Sequence, residues 1–295
     1  MQIEAISNGL GGPSMLMLWL ACQGKLPPRI SITADTGSEN DRLTNKGERV
    51  SAKEFFANVV APLSKKHGID ARFVRSKDEH GNDLPTLWED VKAAAAAAAA
   101  QDVPLYGSNG GQLKQSCTDK WKMRAIRQEA RSMGATMLVS AIGLHVNEVM
   151  RRARGRIIMP FYHWHERFNL FQHGNNENGV FVPVKWMRHY YPLADMRLSR
   201  DIINEMLEAC GIPYLLTSEC DHCPHKDGAR WLRTSPAMID EIAAKEAEYG
   251  GQFFFTDRRI PLKQAMEQFR EEAAQPSLYD DAADFGCQSG GYCGV

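Results

Sequence analysis

The sequence predicts an α/β protein built on a doubly wound, mostly parallel sheet, and three observations predict it. Short apolar strands alternate with helical segments from residue 2 to about residue 215. The opening reads strand, glycine-rich turn, helix, strand, acidic turn, which is a βαβ unit whose parallel strands bring both turns to one sheet edge. The most apolar strand, Ala135 to Leu144, ends at a glycine and leads into a polar helix, so a third loop is directed to the same edge.

Taken in order, Gln2 to Ile6 is a short strand and Ser7-Asn8-Gly9-Leu10-Gly11-Gly12-Pro13-Ser14 a tight turn. Met15 to Cys22 is the apolar start of a helix, and Ile30 to Ala34 is a strand entering Asp35-Thr36-Gly37-Ser38-Glu39. Residues 51–67 form a helix with Ser51 as N-cap and Gly68 as its stop. Arg72 to Val74 is the next strand. Leu87 to Gln101, with eight consecutive alanines at 93–100, is a helix of high propensity and no chemistry. After the loop 107–111, Ser116-Cys117-Thr118-Asp119 has the form of a capping box. Lys120, Lys122, Arg124 and Arg127 follow, set against the helix dipole, so an anion nearby is expected.

The pattern breaks at 157–184, where Phe161-Tyr162-His163-Trp164-His165-Glu166 and a polar run from Gln172 to Gly179 read as an inserted hairpin or lid. His163, His165, Glu166 and His173 carry metal-binding groups, but alternate positions on a strand serve packing equally well. A helix from about Ser199 to Ala209 places Ile202, Ile203, Met206, Leu207 and Cys210 at helical spacing, which makes Cys210 a small core residue. Then come Ser218-Glu219-Cys220-Asp221-His222-Cys223-Pro224-His225, a helix from Ser235-Pro236 to Gly250-Gly251, and a helix from Leu262 to Ala274. The glycine-rich tail carries Cys287 and Cys293. The expected division is a nucleotide-binding domain over 1–215 and a CxxC-containing helical extension over 216–295.

Charge and cysteine usage narrow the function. A net charge of −1 argues against wholesale polyanion binding, although Lys65-Lys66 and the arginines of 151–156 make local basic runs. The apolar run Met15 to Cys22 is too short to cross a membrane and lies behind a strand, so a cytoplasmic, membrane-free protein is expected. Seven cysteines, an odd number, do not suggest a disulfide framework. Cys220-x-x-Cys223 brings two thiols close enough to share a metal or a cluster, or to act as a reducible dithiol. Cys117 is the third candidate ligand, because a helix N-terminus followed by lysines favours the thiolate. Glycines of the first turn let backbone N–H groups close around phosphate oxygens, with hydroxyls of Ser7 and Ser14 and the helix dipole adding to the cradle. Neither the Walker A pattern nor the dinucleotide fingerprint fits.

Ser7-x-Gly9 followed after one helix by Asp35-Thr36-Gly37-x-Glu39 resembles the PP-loop family of adenine-nucleotide α-hydrolases, and within it the phosphoadenosine-phosphosulfate (PAPS) reductase-like branch. Cys117-Thr118-x-x-x-Lys122, Ile142-Gly143-x-x-x-x-Glu148-x-x-x-Arg152, Tyr191-Pro192-Leu193 and Ser218-x-Cys220-x-x-Cys223-Pro224 follow in that order. The resemblance covers nearly the whole chain apart from 157–184 and the alanine tract. It implies a Rossmann-like sheet. It also implies a site where Ser7, Asn8, Gly9, Gly11, Gly12, Ser14, Asp35, Thr36, Gly37 and Gly143 hold ATP, PAPS or adenylyl sulfate with Mg²⁺. Asp35, Glu39, Lys122, Arg152 and Cys293 are the implied catalytic residues, and Cys117, Cys220 and Cys223 the ligands of a 4Fe-4S cluster with one open iron, or of zinc. Implied partners are a sulfur donor or thioredoxin-like reductant and a nucleic-acid acceptor. Three departures stand out. The first loop is longer than usual and carries Pro13, Thr118 stands where cluster-bearing reductases have a second cysteine, and the tail lacks the Glu-Cys-Gly-Leu/Ile-His motif of PAPS reductases. The expected activity is therefore adenylyl-sulfate reduction or ATP-dependent thiolation, against the alternative of a catalytically silent nucleotide-binding module.

Overall fold

The computed structural model describes residues 1–93, 102–113, 115–148, 174–175, 181–182 and 186–275. Arg151, Arg152, His163, His165, Glu166, His173, Cys287 and Cys293 lie outside the described residues, as does the alanine tract beyond Ala93. Within 157–184, Gly174–Asn175 and Phe181–Val182 form an antiparallel pair, in keeping with the expected hairpin.

Five strands make one parallel sheet: β1 (Gln2–Ser7), β2 (Ile30–Asp35), β3 (Asp70–Arg75), β4 (Met137–Ile142) and β5 (Met187–Tyr190), ordered β5-β4-β1-β2-β3. The chain steps outward from β1 to β3, then returns to place β4 on the other side of β1. In a doubly wound sheet this reversal opens a crevice outside the carboxyl ends of the two central strands. The first turn, the acidic turn and Gly143 are therefore neighbours at one edge, as the alternation of strands and helices requires.

Helix α1 (Gly12–Cys22) is buried on almost every side, including Met15, Leu16, Met17 and Leu18. It is enclosed by a core containing Phe55, Val60, Leu193, Ile203, Leu207 and Tyr214. Helix α2 begins with a complete capping box at Ser51 and Glu54 over Ala52–Phe55, widens to a π-turn over Phe56–Val60 and closes as Ala61–Lys66. Gly68, with φ of +67°, stops it.

A second core joins Trp88 of α3 (Leu87–Ala93) and Trp121 to Trp231, Phe255 and Phe269, and Cys220 and Cys223 belong to it. It draws on residues either side of position 215, so the CxxC segment is packed into the rest of the chain. Trp121 lies on α4, which starts as a π-turn over Thr118–Met123 and continues as Arg124–Ser132. Helix α5 (Arg200–Ala209) is capped by Ser199, which accepts from the N–H of Ile202. Helix α6 (Pro236–Glu248) is capped by Ser235, and α7 (Leu262–Ala274) is the last among the described residues.

Two local expectations need correction. Cys210 is exposed, together with Ile202, because α5 buries only the narrow stripe of Ile203 and Leu207 against α1. Ser116 does not cap α4: its hydroxyl donates to Asp102 Oδ1 at 2.5 Å, and the N–H groups of Ser116 and Cys117 donate to the Asp102 carbonyl. Asp119 pairs instead with Arg127. The Asp102 carboxylate thus takes the hydroxyl that would have capped, and the Asp102 carbonyl accepts the N–H groups at the helix start.

Candidate functional site: two loops and a thiol pocket

The first loop is organised by its own side chains. Asn8 accepts from the Leu10 N–H at 2.8 Å and donates to Ser31 Oγ, while Ser14 Oγ accepts from the Gly9 N–H at 3.1 Å. Leu10 takes a positive φ of 64° to complete the turn. The Ser7 hydroxyl faces β4, sharing a 2.6 Å hydrogen bond with Ser140 Oγ, so both serine hydroxyls of the loop already serve its architecture. Gly11 is the N-cap of α1. Among the first N–H groups of that helix, those of Gly12 and Ser14 precede the intrahelical ladder, and Pro13 supplies none.

Gly143, just past β4, is the third wall of this corner. A Cβ there would lie 3.0 Å from Pro13 Cβ and 3.1 Å from the backbone nitrogen of Ser14. Its absence lets the end of β4 touch the start of α1. Substitution Gly143→Ala is expected to destabilise the protein by about 1–3 kcal/mol through this overpacking. Urea unfolding reads the effect, and an unchanged midpoint would mean that the loop yields freely.

The second loop follows β2. Asp35 Oδ1 accepts from the Gly37 N–H, and Oδ2 accepts from Arg75 Nη2 at 2.5 Å. Gly37 adopts a φ of +63°, and Thr86 occupies the space a side chain would need. Glu39 forms an ion pair with Lys122 at 3.1 Å, each side chain only 10% exposed. The positive charges that begin α4 are thus answered by carboxylates: Lys122 by Glu39, Lys120 by Asp102 and Asp90, and Arg127 by Asp119.

The segment from Leu215 to Cys223 ties the loops together. The Leu215 N–H donates to the Leu10 carbonyl, and Ser218 lies against Gly11. Lys122 Nζ donates to the Ser218 carbonyl at 3.3 Å while holding Glu39. The Asp221 N–H donates to the Ser38 carbonyl at 2.7 Å, and its carboxylate accepts from the N–H groups of Asn40 and Asp41. Thr36 Oγ1 lies 3.9 Å from Cys220 Sγ. Behind this brace is Arg42, buried and ion-paired with Asp221 at 3.5 Å. Burial would lower the Arg42 pKa, but Asp221, Glu39 and Glu219 outweigh it and hold the guanidinium charged.

Thr36, Cys117, Lys122, Cys220, His222 and Cys223 line one small pocket, a cavity of about 20 Å³. Burial pushes the Cys220 thiol up to about 12 and also raises Cys117, against the pull of Lys122 in both cases. The expectation of a lowered Cys117 pKa is therefore corrected, because loss of hydration outweighs the lysine and the helix end. Such thiols stay protonated until a metal supplies the charge that removes the proton. His222 is pushed down to about 3 by burial, with Lys226 and Arg42 adding to the effect. Among the described residues no three His, Cys, Asp or Glu side chains stand close enough to hold a single metal ion. Three thiols line one pocket, soft donors of the type that both zinc and iron–sulfur clusters take.

Sequence reasoning proposed Asp35, Thr36, Glu39, Lys122, Cys117, Cys220 and Cys223 for this region, and the structure brings them together. It did not single out Arg42, Asp102, Asp221 or His222. Asp221 and His222 lie inside the CxxC spacing, which was the available signal. Arg42 and Asp102 carried none, since their partners are remote in the chain.

No protein-family profile matches the chain, and no curated protein matches it significantly. Among solved structures, the U34-tRNA thiolase NcsA from Methanococcus maripaludis with its 4Fe-4S cluster is similar at a TM-score of 0.40. The two share 12% identity, over 94% of this chain and 73% of that one.

Proposed function

We propose that this chain is an ATP-dependent sulfur-transferring enzyme, which binds an adenine nucleotide at the two loops and delivers sulfur from the thiol pocket to an activated acceptor. The observation that carries the reading is the Leu215–Cys223 segment, which touches the glycine loop, the acidic loop and the cysteine pocket at once. The N-terminus of α1 favours the pyrophosphate through its dipole and the Gly12 and Ser14 N–H groups. Lys122, aimed by its ion pair with Glu39, stabilises negative charge as an acceptor oxygen attacks the α-phosphate and pyrophosphate departs. Arg152 is assigned as a second cation for that charge. Asp35 retains lone pairs beyond those given to Gly37 and Arg75, and these are assigned to Mg²⁺ or a ribose hydroxyl. A cluster held by Cys117, Cys220 and Cys223 supplies a soft Lewis acid for sulfide. Sulfide then displaces AMP from the adenylated acceptor, leaving the acceptor with sulfur in place of oxygen. A nucleic-acid base is the proposed acceptor.

The test uses anaerobically prepared protein with ATP, Mg²⁺, sulfide and a mixed pool of RNA and DNA. AMP and pyrophosphate in equal amounts, with thiolated nucleosides found by mass spectrometry, is the expected outcome. Tight ATP binding without AMP would identify a silent module, and sulfite release from PAPS, lost in Cys293→Ser, would identify a reductase. Either result overturns the reading.

A further inference from the structure

One side chain of the thiol pocket has no role in the chemistry above. His222 stands between Cys220 and Cys223 in the chain, lines the same pocket, and is 1% exposed. Its ring is stacked on Trp88 with centroids 4.5 Å apart and planes 29° from parallel, and it meets Phe255 edge-on at 6.2 Å. Those two contacts fix the plane of the imidazole. Its Nε2 is buried with no hydrogen-bond partner among the described residues. An unsatisfied buried polar atom costs about 1–3 kcal/mol, so a rigidly held ring of this kind calls for a partner that protein atoms do not supply. His225 makes the contrast: Gln112 and Gln115 engage its two ring nitrogens.

We propose that His222 is the fourth protein donor of the pocket, a neutral nitrogen ligand to the iron that Cys117, Cys220 and Cys223 leave over. The inference rests on the sulfur-enzyme reading above and deepens it. Imidazole suits iron, and histidine replaces cysteine on iron in known cluster types. Imidazole binds iron as an uncharged donor, so it is a weaker ligand than a thiolate and yields to an anionic sulfide. The iron–nitrogen bond breaks as an iron–sulfur bond forms, hydrosulfide brings the electron pair, the imidazole leaves uncharged, and no metal changes oxidation state. His222 would thus cap the site between turnovers and keep solvent and stray thiols off the open position.

The test is pulsed electron paramagnetic resonance on the reduced, anaerobically loaded full chain, with the protein labelled in parallel with ¹⁵N-histidine. A histidine nitrogen coupling is expected in the unsubstituted protein and should disappear on addition of sulfide. His222→Phe keeps the stack on Trp88 but offers no nitrogen, so iron content should persist while the coupling is lost. His222→Cys should lower the reduction potential. A loaded cluster without nitrogen coupling, or coupling that survives in His222→Phe, overturns this proposal and leaves the three-cysteine site standing. A protein that takes up no iron, or Cys220→Ser retaining full iron, overturns the cluster reading and this proposal together.

Discussion

Substitution Asp221→Ala is expected to cost about 3–5 kcal/mol of stability, the effect of removing one partner from a buried charge pair. Arg42 and Asp221 are each about 3% exposed at the side chain, so the guanidinium left behind would lose its ion-pair partner with no water to replace it, and only the more distant fields of Glu39 and Glu219 would remain. Two backbone N–H groups of the acidic loop, at Asn40 and Asp41, lose their acceptor in the same step. Against a total of about 5–15 kcal/mol for a domain, this is a large fraction. Urea unfolding gives the measurement. Asp221→Asn, which keeps an acceptor and removes the charge, should fall between Asp221→Ala and the unsubstituted protein. A loss below about 1 kcal/mol for Asp221→Ala would show that the loop and the CxxC turn are held together by something else.

For Lys122→Met the expected loss is in rate: AMP formation should drop by about 10²–10³-fold, as when one preorganised donor to developing charge is removed. Glu39, 10% exposed at the side chain, then lacks its partner, so some stability is lost too. Pairing Lys122→Met with Glu39→Gln separates the two effects. The double variant should recover stability without recovering rate. If the double variant also recovers AMP formation, the lysine acts only as structural support for Glu39.

The parts of this site that were readable in advance are those set by local chemistry. The turn from Ser7 to Ser14 is marked by its glycines and by the strand and helix on either side, and α7 begins after Pro261 and runs over the predicted span. The parallel sheet follows from strand-helix alternation, and the edge that gathers both loops follows from the sheet. What escaped depends on distant partners. Ser116 looks like a cap until Asp102, fourteen residues upstream, takes its hydroxyl. The Cys117 thiol looks activated until the second core buries it. Helical spacing around Cys210 matched an apolar face, but only Ile203 and Leu207 of that helix are buried, and the spacing does not reveal how wide the buried stripe is. Arg42 reads as an ordinary surface arginine, and only the fold brings Asp221 to it.

The second core has a consequence for how the protein is made. Much of the core around Trp88 and Trp121 comes from residues 220–269, and about a hundred residues separate Cys117 from Cys220. At ordinary translation speeds of about 5–20 residues per second, Cys117 leaves the ribosome some 5–20 s ahead of its companions. During that interval it is a lone thiol beside an unfinished apolar surface. The thiol pocket is therefore completed late in biogenesis, only after the C-terminal helices have closed over Cys117.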